Sequence, residues 1–243
     1  MAVSSATRHI IWGRSGNLCA ICKMFLVRES ETEEFPLGMV SHIEGDKPGS
    51  KRYREEMADD ERQSPKNLIL LCPTCHLGII DKDDKTYTVE KLHSIKKEHE
   101  ESVERKLQAL IPDVGFAELE VTLKYLIDAQ SGQIETSLQV IPPGDKIKKN
   151  NLSSSVENLL RMGLMRKTEI DDYLNKNPDM KLSKRLRKTF VNKYQELKAS
   201  GLEGDAIFYG LLNFSSAGKD FKYEAAGLTI ISYYFHLCDV FES

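Results

Sequence analysis

Four cysteines and the histidines among them carry the chemical signal of this 243-residue chain. Cys19 and Cys22 form one Cys-x-x-Cys pair in "NLCAIC", and Cys72 and Cys75 form a second in "NLILLCPTCH". Each pair can present two thiolates from one tight turn. Two pairs supply the four ligands that zinc takes in a tetrahedral site. With all four positions filled by protein there is no room for a reactive water, so the expected ion is a structural Zn²⁺. Such a site contributes roughly 10 kcal/mol or more to folding. The alternative is a pair of redox dithiols. The gap between Cys22 and Cys72 is too wide for a compact zinc ribbon and reads as two knuckles joined from the ends of an inserted motif. The fifth cysteine, Cys238, lies in an apolar segment and reads as a buried thiol.

Within and beside this frame sit His42 in "VSHIEG", Asn67 at the start of "NLILLC", and His76 directly after Cys75. Hydrolysis of a phosphodiester needs an activated water and stabilisation of a leaving 3′-oxygen. A neutral imidazole titrates near pH 7, so His42 can accept the proton of water. An amide or carbonyl on Asn67 can orient that imidazole; the alternative is a helix or turn cap. A divalent cation on His76 can neutralise charge on the phosphate and leaving oxygen, the alternative being a contact within the knuckle. Asp81, five residues on, is a possible further ligand or a surface pair. In "PGSKRYREEM", Lys51, Arg52 and Arg54 either grip phosphates or decorate a solvated loop. His93 and His99 read as surface residues, and His9 and Trp12 as packing on the zinc frame.

From about Arg8 to about Glu100 these motifs, with the trailing "IIDKDDKTYTVEKLHSIKKEHE", resemble the HNH endonuclease family, also called His-Me finger or ββα-metal nucleases. The resemblance implies a β-hairpin, a loop and a helix with a metal ion held between hairpin and helix. It aligns His42 with the general base, Asn67 with the residue that orients it, and His76 with the metal-binding histidine. It implies DNA as substrate and Mg²⁺ or Mn²⁺ as catalytic ion. The sequence departs from the family pattern at Ser41, where many members carry Asp or His as a second metal ligand. That departure keeps open a non-catalytic zinc module that binds nucleic acid or a partner protein.

Helices, strands and loops must position these groups. "TRHIIWGRSG" reads as a short helix stopped by Gly16, and "FLVRES" and "VSHIEG" contain strands separated by an acidic linker, "ETEEFPLG". Residues 45–66 are polar and contain two prolines, which predicts a long loop with about one helical turn. "NLILLC" is a buried strand or turn, and "TVEKLHSIKKEHEESVERKLQAL" a helix capped by Thr88. Pro112 and Gly115 end this region. Beyond it "FAELEVTLKYLIDAQ" reads as a helix although its alternation permits a strand. "VIPPGDKIKKNN" reads as a linker, and five helical segments follow. The last of them, "EAAGLTIISYYFHLCDVFE", is apolar on most faces and reads as a core helix or an oligomer interface. Residues 146–198 carry 14 Lys/Arg against 6 Asp/Glu, which makes either a DNA-binding or a solvated face.

In this half "KIKKNNLSSSVENLLRMGL" and "AAGLTIISYYFHLCDVFE" resemble a C-terminal domain found on effectors of bacterial ABC-three-component defence systems. That resemblance implies an antiviral nuclease whose C-terminal half docks on partner proteins, including an ABC-type ATPase. The expected fold is α+β, with a ββα-metal, zinc-containing HNH domain over residues 1–112 and an all-α regulatory domain over 113–243. A net charge of -3 gives no global signal for nucleic acid, so any basic surface is local. No apolar run is long enough for a bilayer and the N-terminus lacks a signal-peptide core, so the expected location is the cytoplasm.

Overall fold

The computed structural model describes residues 3–29, 34–129, 143–216, 221–237 and 241. It divides into two compact units, Met1–Arg105 and Lys106–Ser243.

The first unit opens with helix α1, Ser5–Arg14. The hydroxyl of Ser4 caps it by accepting the Thr7 N–H at 3.1 Å. Gly16 ends it in the left-handed region, φ +54°. Trp12 leans across Gly38 so closely that a Cβ there would meet the indole at 2.7 Å. Two antiparallel ribbons follow. Strands β1, Val27–Glu29, and β2, Glu34–Pro36, pair in the register Val27↔Pro36. The expected acidic linker therefore contains a strand, because the backbone of residues 34–36 closes a ladder on β1. Strands β3, Met39–His42, and β4, Leu68–Leu71, pair with Met39↔Leu71 and His42↔Leu68. All four residues of β4 are buried, which explains an unbroken apolar run where a half-exposed strand would alternate.

Between β3 and β4 the polar segment forms one short helix, α2, Asp59–Arg62, and a 3₁₀ turn, Pro65–Asn67. After β4, Thr74–Ile80 winds as a π-helical turn. Helix α3, Val89–Leu110, then runs 22 residues, with the Thr88 hydroxyl accepting the Lys91 N–H at 3.3 Å. Its buried stripe is Leu92, Lys96, His99, Val103 and Leu107. His99 thus lies inside, 2% exposed, with Nδ1 3.0 Å from the Lys23 ammonium. The surface position expected for it is corrected: its sequence neighbours are charged, but the helical period turns it inward. His93 is exposed, as expected. His9 bonds back to the Ser5 carbonyl of its own helix.

The second unit is helical: α4 Phe116–Asp128, α5 Pro143–Lys149, α6 Ser154–Gly163, α7 Lys167–Lys176, α8 Leu182–Ala199, α9 Asp205–Ser216 and α10 Phe221–Leu237. In α4 the buried positions Leu119, Thr122, Leu123 and Leu126 follow the helical period, which decides between the two readings of that segment. Residues 143–149, read as linker, are helical; Pro143 sits at the helix start, and the fully buried Lys146 donates to the Phe235 carbonyl at 2.9 Å. Twelve residues of α10 are buried, and it packs on α9, α6, α4 and α7 as the core helix of the unit. Cys238 lies outside the described residues.

Helices α6 and α10 touch where Gly163 lacks a side chain. A Cβ there would lie 2.3 Å from the Ser232 hydroxyl and 2.8 Å from the Leu228 carbonyl oxygen. Alanine is the better helix former by about 1 kcal/mol, but overpacking costs about 1–3 kcal/mol. Gly163→Ala is therefore expected to lower the midpoint of urea unfolding; a higher midpoint would show that the two helices separate at little cost.

Candidate metal centre and histidine site

The four cysteine sulfurs all lie within 4.8 Å of one another. Local backbone geometry brings each pair to the cluster. In the first knuckle Lys23 takes a positive φ, +61°, and its N–H returns to the Cys19 carbonyl at 3.0 Å. The Ala20 N–H then donates to the Leu70 carbonyl at 2.9 Å, anchoring this knuckle on β4. The second knuckle leaves β4 directly, with the Cys75 N–H aimed at the Cys72 sulfur at 3.3 Å. Cys19, Cys72 and Cys75 are buried and Cys22 is exposed.

Burial and the closeness of the sulfurs set the electrostatics of the cluster. Burial pushes the Cys75 thiol far up, and the neighbouring sulfurs push it further. Burial opposes ionisation of Cys19 as well, but N–H groups of Cys72, Cys22 and Ile21 outweigh it and lower its pKa. Four thiolates this close need a cation. Their convergence on one point, rather than in two separate dithiols, makes them close enough to bind a single metal ion.

His42 ends β3, half-buried, with Nε2 3.3 Å from Oε1 of Gln63. Burial lowers its pKa below the ordinary imidazole value; the Gln63 bond and Asp46 oppose the shift, and Arg62 adds to it. Ser41 precedes it on the opposite face of the strand, 1% exposed, with its hydroxyl donating to the Met39 carbonyl at 3.4 Å.

Asn67 does not touch the imidazole. Its amide nitrogen donates to the carbonyls of Glu44 and Arg62 at 2.9 and 3.0 Å, and its oxygen accepts the Glu44 N–H at 2.8 Å. The expected direct orienting role is corrected: an amide has two donors and an acceptor, and all of them here meet backbone. Gln63, which nothing in its sequence context singled out, is the residue at the ring.

His76 lies on the π-helical turn rather than at the start of a regular α-helix. Its Nε2 is 3.4 Å from Asp81 Oδ2, and its Nδ1 is buried without a hydrogen-bond partner. Asp81 closes the same turn and faces the Arg52 guanidinium at 3.5 Å. His76 and Asp81 therefore form a two-donor pair. Among the described residues, the cysteines alone make a cluster of three or more metal-ligand side chains.

The sequence left Arg52 either at phosphates or on a solvated loop, and its side chain lies in neither setting. Its side chain is 6% exposed and donates to the carbonyls of Ile43 at 2.9 Å, Ile80 at 3.0 Å and Tyr87 at 3.4 Å. One guanidinium thus clasps the residue after His42 to the end of the turn that carries His76. Lys51 and Arg54 stay on the surface, with Lys51 paired to Asp84 and Arg54 to Glu44 and Glu61. Arg62, also missed in the sequence, is buried under three carbonyls, those of Gly45, Arg54 and Met57, and stacks on Tyr53 at 4.5 Å. In the basic stretch of the helical half, Arg161, Arg166, Lys176, Arg185 and Lys193 pair with carboxylates.

A family model described as C-terminal domain 10 of the ABC-three component (ABC-3C) systems matches residues 118–242, just over half of the chain. No curated protein matches it. No helix among the described residues is long and apolar enough to cross a membrane.

Two outcomes follow from this geometry. Elemental analysis of the purified chain is expected to give one tightly held metal ion per chain, lost in Cys72→Ser together with a large drop in thermal stability; equal metal content in both proteins would remove the sulfur cluster as its site. Arg52→Ala strands three carbonyls and is expected to cost about 2–4 kcal/mol in urea unfolding. Arg52→Lys should rescue little of that loss, since one ammonium does not reproduce the guanidinium fork. An unchanged midpoint would return Arg52 to the phosphate-binding reading.

Proposed function

Because the chain belongs to the family of C-terminal domain 10 of the ABC-three component systems, we propose that it is the nuclease effector of such a defence system, acting in the cytoplasm. Its N-terminal unit hydrolyses DNA phosphodiester bonds, and its helical half docks on the partner components, an ABC-type ATPase among them, or on a second copy of itself. The observation that carries the reading is the half-buried imidazole of His42. Burial favours its neutral form, one ring nitrogen is held by Gln63, and the two residues that follow it are pinned by Arg52 and Asn67.

In the proposed reaction a water oxygen attacks phosphorus, its proton passes to the neutral imidazole of His42, and the bond from phosphorus to the 3′-oxygen breaks. The cysteine cluster holds Zn²⁺, the ion its donor set suits. His76, with Asp81, would hold Mg²⁺ or Mn²⁺; the 3.4 Å approach of His76 Nε2 to Asp81 Oδ2 is the observation that fits a shared ion there. Such an ion, when bound, supplies charge neutralisation at the phosphate and leaving oxygen. Lys51 and Arg54, exposed and paired with carboxylates in the free chain, would exchange those partners for phosphates.

A second reading has its own support. Ser41 is turned inward and bonded to Met39, so the position that often supplies a metal ligand supplies none here. A non-catalytic zinc module that binds nucleic acid or a partner protein fits that fact.

A plasmid-cleavage assay with Mg²⁺, Mn²⁺ or EDTA separates the two. Metal-dependent cutting, lost by about 100-fold or more in His42→Ala and in His76→Ala, is expected for the nuclease. No cutting by the full chain, even with its partner proteins added, favours the binding module. The pH profile carries the sign of the His42 shift. Its folded pKa lies below the ordinary 6.5, so the rate is expected to be flat above pH 6.5 and to fall at lower pH as the ring protonates. Stability moves the same way. The unfolded chain takes up the proton first as pH drops through 6.5, so the fold loses stability towards acid.

A further inference from the structure

We propose that Gln63 is the positioning residue of His42: its side-chain oxygen accepts the Nε2–H of the ring and so leaves Nδ1 as the nitrogen that receives the proton. This rests on the reading of His42 as a general base. The ring makes one hydrogen bond, from Nε2 to Gln63 Oε1 at 3.3 Å. Nδ1 has no partner in the described structure, yet it is not among the buried polar atoms left without one, so it opens to solvent. An amide oxygen can only accept, so the partner nitrogen must carry the hydrogen and the lone pair falls to the open side.

The fold holds Gln63 for this task. It sits at the C-terminal end of α2, where its N–H bonds to the Asp59 carbonyl at 3.1 Å. The preceding Arg62 is fastened under three loop carbonyls and gives its own carbonyl to Asn67. Asn67 therefore ties together both sides of the contact: Glu44, two residues after His42, and Arg62, one before Gln63. A glutamine also suits the position electrically. The strongest charge effects on the ring come from Asp46 and Arg62, of opposite sign. A neutral acceptor adds direction to that balance without adding charge.

The test uses the full-length chain labelled with ¹⁵N in histidine, because ring-nitrogen chemical shifts report which nitrogen bears the proton. The parent is expected to show the Nε2–H form of His42 at pH 8. Gln63→Leu, with an unchanged unfolding midpoint, is expected to show a mixture of tautomers. Its kcat should fall by about 10- to 100-fold with KM within twofold, because only the placement of the base is lost. Gln63→Glu restores an acceptor and is expected to recover the Nε2–H form. An Nδ1–H ring in the parent, or an unchanged tautomer in Gln63→Leu, overturns the proposal. The Nε2–H form in a protein that cuts no nucleic acid would uphold the contact and remove the general-base reading instead.

Discussion

Cys19 and Cys72 stand 53 positions apart in the chain, yet their sulfurs belong to one cluster no wider than 4.8 Å. Closing a loop of that length costs about 3.5 kcal/mol beyond a constant term, and buried thiols offer little return for it. A cation shared by four sulfur ligands does. The rest of the N-terminal unit depends on that closure. The first knuckle bonds to Leu70, β4 pairs with β3, and β3 delivers His42, so the cluster and the histidine are joined through a single strand buried on both faces.

A ribbon of two short strands cannot by itself hold the long polar segment between them. That work falls to side chains that gather backbone carbonyls. Arg52 collects three from residues 43, 80 and 87, Arg62 collects three from residues 45, 54 and 57, and Asn67 ties residues 44 and 62. Irregular backbone leaves polar groups that a buried setting must satisfy. Here a few charged or amide groups satisfy many of them at once. The same bonds tie together the backbone around His42 and His76.

The helical unit solves a different problem. Its core helix, α10, is too apolar for any exposed setting, and it carries polar groups inward with it. The hydroxyls of Thr229 and Ser232 bond to carbonyls one turn back in their own helix, and Lys146 reaches the carbonyl of Phe235. Glu224 stays near the start of α10, where burial pushes its carboxyl up to about 7. The folded state then binds a proton that the unfolded chain releases at lower pH, so this group costs stability as pH rises from the ordinary carboxylate range through 7.

Donor types and their spacing were legible in the chain itself. Two Cys-x-x-Cys pairs require nothing but tight turns to point their sulfurs the same way, and helical periods were readable wherever apolar residues recurred. The α+β class, the core helix and the cysteine cluster followed from these local features, and the resemblance of the C-terminal half to a defence-system domain agrees with its family match. Other assignments waited for the tertiary structure. Arg52 in a basic loop looks the same in sequence whether it meets phosphate or carbonyl. Gln63 lies 21 residues from the ring it touches, and Asn67 bonds to backbone that carries no side-chain signature. Burial of His99 depended on which face of α3 turned inward, and Lys146 on a helix in place of a linker. Sequence spells out what a side chain can donate or accept. Only the folded chain, by bringing distant backbone within 3 Å, decides which partner it meets.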